Sequence, residues 1–307
     1  MRRARALGAV LLFLPLAAGC GFSTSSGSAE GTGEAVAPIT VEAANGTVTL
    51  PGPAERIVSL SPTTTEMLFA IGANEQVVAV DDYSTYPAEA PRTDLSGFKP
   101  NAEAIAAYKP DLVVLSDDMD GIIAALGKLK IPVIHEPAAK VLDDSYDQIT
   151  DLGAATGKGA EAAVVVKTMK DRIDAAVKAV PDGSGITYFH EVTTDLYTIT
   201  SKTFLGQIYG LFGLENIADE ADKQGTGYPQ LSAEAVLKAD PRLIFLADAR
   251  GAGQSAETVA KRAGWSGLTA VKEQGVVALD DDIASRWGPR LPDLIEDISA
   301  AVKQAAA

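Results

Sequence analysis

Two segments of this chain repeat one another. Ala102-Glu103-Ala104-Ile105 leads through Lys109-Pro110-Asp111 into the apolar run Leu112-Val113-Val114-Leu115. Starting 131 residues later, Ala233-Glu234-Ala235-Val236 leads through Asp240-Pro241-Arg242 into Leu243-Ile244-Phe245-Leu246. An aromatic after a glycine precedes each copy, Gly97-Phe98 and Gly227-Tyr228. A helix–turn–strand unit used twice predicts two related lobes about a pseudo-twofold, with equivalent positions facing one gap.

The remaining pattern agrees. Residues 57–60, 77–80, 112–115 and 131–134 are short continuous apolar runs, as expected of strands buried on both faces, and 186–189, 196–200, 243–247 and 276–279 form a second set. Helical patterns separate them, so the expected fold class is α/β: two Rossmann-like lobes with parallel-type sheets. Asn45-Gly46 marks a hairpin between 39–43 and 47–50. Pro62 opens a helix in which Thr63 and Glu66 are spaced as a capping box.

Residues 143–180 carry no strand signal. Ile149, Leu152 and Ala155 fit one helix, Thr156-Gly157-Lys158 breaks it, and a stripe from Ala162 to Val180 predicts a second. That second helix is about 20 residues, roughly 30 Å long. The expected organisation is a lobe at 39–140, a helical linker at 141–181 and a lobe at 182–307. This one long α-helix is expected to join the two lobes as a stiff spine, which limits how far they open.

The amino terminus predicts the compartment. Arg2, Arg3 and Arg5 precede an apolar run at 7–18, too short to span a bilayer, and Leu16-Ala17-Ala18-Gly19-Cys20 follows. The sole cysteine there resembles a bacterial lipoprotein box, which implies a signal peptide at 1–19 and a diacylated Cys20. Two acyl chains hold a protein to a membrane stably. Residues 20–38 are small and polar, the composition of a flexible tether. The expected location is the outer face of the cytoplasmic membrane.

A formal net charge of −15 argues against nucleic acid, because phosphate binding needs a surplus of Lys and Arg. One Cys and two His exclude a disulfide scaffold, a zinc finger and an iron–sulfur protein. Gly251-Ala252-Gly253 lies too far past its strand for a dinucleotide loop and reads as a turn before a helix.

Arg56-Ile57-Val58-Ser59-Leu60-Ser61-Pro62-Thr63-Thr64-Thr65-Glu66, the strand entry Lys109-Pro110-Asp111-Leu112-Val113 and Tyr228-Pro229-Gln230-Leu231-Ser232 together resemble the helical-backbone (class III) substrate-binding proteins of ABC importers. The likeness spans about residues 39–303. It implies a non-catalytic receptor that captures a metal chelate, either cobalamin or another corrinoid or a ferric siderophore, and delivers it to a permease dimer with its ATPase. It implies no resident metal or cofactor. Haem, ligated through Tyr83, Tyr86 or His190, is a third ligand left open. A secreted lipoprotein hydrolase using Ser285, His190 and an Asp is the rival from another class.

In open α/β sheets ligands sit at the carboxyl ends of the strands. The loops there offer Tyr83, Phe98, Tyr228 and Trp287 as apolar faces for a flat chelate, with Asp117, His190, Arg286 and Arg290 as polar groups at its rim. The resemblance places aromatics of corrinoid binders near Tyr83, Phe98 and Tyr228. His135 reads as structural. Glu103 and Glu234 hold equal places in the repeat, and the resemblance implies that they dock on arginines of the permease. At N2 of helices capped by Asn101 and Ser232 they also complement the helix dipole.

Overall fold

The computed structural model describes residues 37–181 and 183–307. The run at 7–18, Cys20 and the tether up to residue 36 lie outside the described residues, as does Asp182, the first residue of the expected second lobe. Among the described residues no helix is long and apolar enough to cross a membrane.

Strands β1 (Ile39–Ala43) and β2 (Gly46–Leu50) form the expected antiparallel hairpin. Asn45 at its turn donates from Nδ2 to the Val133 carbonyl at 2.9 Å and accepts the His135 N–H at 3.1 Å. The hairpin is thereby tied to the edge of the first sheet. Next come β3 (Ile57–Ser59), α1 (Pro62–Ala70), β4 (Val77–Val80), α2 (Ala102–Ala106), β5 (Leu112–Leu115), α3 (Ile122–Lys128) and β6 (Val133–His135). Their four-stranded sheet runs β4-β3-β5-β6, all parallel. Every residue of β3 and β5 is buried, as continuous apolar runs covered on both faces require.

The linker is a pair of helices, α4 (Leu142–Thr156) and α5 (Gly159–Lys178), broken at Gly157. The second half follows as β7 (Thr187–Glu191), α6 (Phe204–Gly210), β8 (Glu215–Asn216), α7 (Ala233–Ala239), β9 (Leu243–Leu246), α8 (Ala256–Ala260), α9 (Thr269–Lys272), β10 (Val276–Ala278), α10 (Asp281–Ala284) and α11 (Leu291–Ala305). Its parallel sheet reads β8-β7-β9-β10. In both sheets the strands stand in the order second, first, third, fourth. The sequence repeat marks the same unit of each sheet, a short helix feeding the third strand.

Two local expectations fail. Residues 196–200 are not a strand of the second sheet; Tyr197 makes only an isolated antiparallel bridge to Gln230. Thr198 and Thr200 donate their N–H groups to the carbonyls of Pro229 and Gly227, both at 2.9 Å, so the segment supports the Tyr228 loop instead. Thr198, Ile199 and Thr200 are all buried there while Tyr197 is exposed, and the two-residue β8 takes the sheet position. The capping box at α1 is also absent. Ser61 is the N-cap without a side-chain cap bond, and Glu66 turns away to meet two arginines.

The inner faces of both sheets share one apolar core with the linker and α11, including Ile57, Val114, Leu152, Ile173, Phe245 and Ile298. The outer faces carry separate cores, one around Val113 and Leu126 and one around Phe189 and Trp265.

Candidate functional site

The loops leaving β3, β4 and β5 at their carboxyl ends form a hollow of about 300 Å³ that includes Ser61, Asp81, Tyr83, Phe98, Ser116 and Asp117. A second hollow of about 310 Å³ includes His190, Ile199, Phe204, Tyr228 and Ala247. Both are walled by Ser285, Arg286 and Trp287, so they are two compartments of one cleft. Phe98 and Tyr228, the aromatics that follow the two repeat glycines, line one compartment each.

The glycines serve these loops for different reasons. A Cβ on Gly97 would lie 2.5 Å from the Leu60 carbonyl oxygen, so only glycine lets the Phe98 loop press against the end of β3. Gly227 has φ +81°, open to glycine at no steric cost. Its N–H donates to Asp222 Oδ2 at 2.8 Å, and that bond leads the backbone contacts that hold the Asp222 carboxyl below its ordinary value.

Tyr83, Phe98 and Tyr228 are 56%, 60% and 58% exposed. Tyr83 and Phe98 meet edge to face with centroids 5.3 Å apart. Rings this large left in water on both halves of a cleft mark a binding face. Trp287 is fixed from beneath: its Nε1 donates to Gln148 Oε1 at 2.7 Å, and its carbonyl accepts from Ser145 Oγ. Both partners belong to α4, so the base of the cleft is tied to the linker.

Of the two arginines, Arg286 walls the cleft as expected but is paired, and Arg290 lies outside it. Arg286 donates to Glu66 Oε1 and to Asp282 Oδ1, the latter at 3.1 Å. Arg290 grips Glu66 through Nε at 2.8 Å and Nη2 at 2.6 Å, and stacks over Tyr86 at 4.1 Å. Arg290 lines neither compartment; it borders a separate hollow with Tyr86, which removes Tyr86 from the cleft as well. Among the described residues Arg286 is the one cation in the cleft walls and is already paired, with Asp282 as one partner, whereas Asp81, Asp117 and Asp281 are also present there. Burial, ahead of all else, holds the Asp81 carboxyl above its ordinary value.

His190 is 1% exposed, and its Nδ1 lies 2.8 Å from the Tyr209 hydroxyl. Burial pushes its imidazole down to about 4, so it stands neutral in the cleft wall. Ser285 Oγ donates to the Asp282 carbonyl at 3.1 Å. The serine and histidine thus bond to Asp282 and Tyr209 rather than to each other. His135 meets the Ser116 carbonyl at 3.0 Å, in keeping with a structural role.

Glu103 and Glu234 are exposed at N2 of α2 and α7. Asn101 Oδ1 caps the Ala104 N–H at 2.8 Å and Ser232 Oγ caps that of Ala235 at 3.1 Å. Each helix feeds the third strand of its sheet, so the two carboxylates hold equivalent places in the two like-ordered sheets.

The sequence reading missed Glu66, the ion hub between the halves, and Asp282. An acid inside Thr63-Thr64-Thr65 and before Met67-Leu68 was the available signal for the first, and the i,i+4 spacing to Arg286 for the second. It missed Glu136 too, buried directly after β6, whose carboxyl is pushed up to about 8 by burial and then by Asp151 and Asp147.

Glu136 and His190 set opposite pH slopes. Glu136 takes up a proton on folding between its ordinary 4.5 and about 8, so stability falls as pH rises through that window. His190 stays neutral while the unfolded chain protonates near 6.5, so stability falls as pH drops from there toward about 4. Glu136→Gln is expected to raise the unfolding free energy by several kcal/mol at about pH 9, read as a higher urea midpoint, and to leave it unchanged at about pH 4. Equal midpoints at the higher pH would mean that Glu136 ionises freely.

The model of the periplasmic binding protein family matches residues 57–283. An uncharacterized ABC transporter substrate-binding lipoprotein of Bacillus subtilis is 32% identical over 98% of this chain and 97% of that protein. A cobalamin-binding protein of Halobacterium salinarum is 32% identical over 81% of this chain and 70% of its own length. Among solved structures, the periplasmic vitamin B12 binding protein of Vibrio cholerae superposes with a TM-score of 0.68 at 28% identity, covering 83% of this chain and 98% of that one. With two like-ordered parallel sheets, a helical linker and a cleft at the strand ends, the chain belongs to the periplasmic binding protein family.

Proposed function

We propose that this protein is the substrate-binding lipoprotein of an ABC importer and that its cargo is a corrinoid. Residues 1–19 serve as signal peptide, Cys20 carries the lipid and 20–38 form the tether. The lobes at 39–140 and 182–307, joined by the linker at 141–181, hold the ligand outside the cytoplasmic membrane. Glu103 and Glu234 meet the permease dimer, and Tyr83, Phe98, Tyr228 and Trp287 supply the apolar faces of the cleft.

The observation that carries this reading is the pairing of exposed aromatics on both halves with an absence of unpaired cations in the described cleft walls. A ferric catecholate or the propionates of haem would face Asp81, Asp117 and Asp281, while Arg286 is already paired with Glu66 and Asp282, so the described walls offer an anion no unpaired cation. A corrinoid presents a broad apolar ring edged with neutral carboxamides, whose N–H groups suit Asp117 and Asp282. The relatives' names agree in direction, two of the three naming cobalamin or vitamin B12. The bonding of Ser285 and His190 to other partners supports binding over hydrolysis.

Tryptophan fluorescence tests this. Trp265 is 2% exposed in the outer core of the second half, and Trp287 lines the cleft, so Trp265→Phe leaves a cleft reporter. Cyanocobalamin is expected to quench it saturably and leave chemically unchanged, while ferric catecholates and haemin have little effect. Saturation by a ferric siderophore or haemin with none by cyanocobalamin would overturn the corrinoid assignment.

A further inference from the structure

Behind the cleft lies a second polar hollow, of about 310 Å³, on the far side of the crossover from β6 into the linker. Ala138 lines both. Five carboxyl groups border it: Glu42 from β1, Glu136 from the crossover, and Asp144, Asp147 and Asp151 from α4. Among the described residues Lys140 is the one cation in its lining. Asp144 is engaged at the start of α4 by the N–H groups of Lys140 and Val141, at 2.7 and 3.1 Å. Glu42 accepts from the Thr47 hydroxyl at 2.9 and 3.0 Å, whereas Asp147 and Asp151 have no side-chain partner among the described residues.

Glu136 distinguishes this hollow from an ordinary acidic surface. It is 4% exposed, and its Oε1 is buried without a hydrogen-bond partner in the protein. A buried polar atom left unpaired costs free energy that a donor brought to it would recover. Asp151 responds to the same crowding: burial, then Asp147 and Glu42, push its carboxyl up to about 6. The cluster lacks the compensating positive charge that its electrostatics call for.

We propose that this hollow binds a small organic polyamine, with Glu136, Asp147, Asp151 and Glu42 accepting its ammonium N–H groups. Among the described residues no group of three or more acids, His or Cys is arranged to hold a metal ion. Separate ammonium centres along a flexible chain need no such convergence; each meets one or two carboxylates at hydrogen-bond distance. Binding ionises Glu136, so affinity rises with pH while Glu136 would otherwise stay protonated. The proposal is independent of what the cleft transports.

Titration of spermidine into the purified chain at physiological ionic strength, followed by calorimetry, tests it. One saturable site is expected, tighter at about pH 8.5 than at about pH 6.5. Asp147→Asn combined with Asp151→Asn is expected to weaken it roughly tenfold or more. Glu161→Gln with Asp171→Asn, the same change of charge on the exposed face of α5, is expected to leave it intact. Glu136→Gln is expected to flatten the pH dependence, a signature that general charge loss would not produce. No saturable heat, equal weakening by the α5 pair, or the same heats from magnesium chloride would each overturn the proposal.

Discussion

Glu66→Ala is expected to cost about 3–5 kcal/mol of folding stability, the usual effect of removing one partner from a buried ion cluster. The Glu66 side chain is 2% exposed, and the two guanidinium groups on it, Arg286 and Arg290, are 8% and 17% exposed. Their remaining contacts are Asp282 at 3.1 Å for the first and the face of Tyr86 for the second. Neither replaces a carboxylate shared between them. For a chain of this size the loss corresponds to a fall in melting temperature of roughly 10 °C. Urea unfolding followed by circular dichroism measures it. A loss below about 1 kcal/mol would mean that water enters and solvates both arginines. The same variant frees Arg286 to face the cleft, so its affinity for an anionic ferric catecholate is expected to increase. That readout links the ion cluster to ligand choice apart from stability.

Reversing both Glu103 and Glu234 to Arg is expected to abolish uptake in cells while leaving ligand affinity intact. The two carboxylates are solvent-exposed and hold equivalent places in the two like-ordered sheets, a placement that suits a twofold transporter. Charge pairs across such a contact guide encounter and fix register, and like charges brought face to face cost several kcal/mol. Each substitution also sets a positive charge against the positive end of a short, solvent-exposed helix turn, a small penalty that water screens. Uptake by complemented cells and cyanocobalamin titration of the purified variant separate the two effects. Unchanged transport would refute docking through these residues, whatever the ligand.

Much of the architecture was legible because buried parallel strands announce themselves as uninterrupted apolar runs. Val113, Val114, Ile244 and Phe245 are all fully buried, as their runs imply. The repeat at Ala102 and Ala233 gave the relation between the halves, and the shared strand order confirms it. The strand at Glu215–Asn216 was invisible, since two residues carry no periodicity. Residues 196–200 misled because a segment bonded to a loop can be as buried as a strand, as Thr198, Ile199 and Thr200 are. The aromatic lining followed from loop position alone. The fate of Arg286 and Arg290 did not, because Glu66 lies 220 and 224 residues away in the chain. A long-range ion pair has no local signature, and Glu66 offered a local alternative in the apparent capping box. Glu136 escaped for the same reason: its acidic neighbours lie on a hairpin and a helix that only the fold brings to it.

The common core of both sheets with α4, α5 and α11 bears on how cargo leaves. Swinging the jaws apart would expose packed aliphatic surface and sever the Glu66 cluster, so thermal motion alone does not spread them far. A cleft held ready in this way binds without first having to assemble. A receiver that hastens release by spreading the halves must itself supply the strain, working against the aliphatic seam and the ion cluster together.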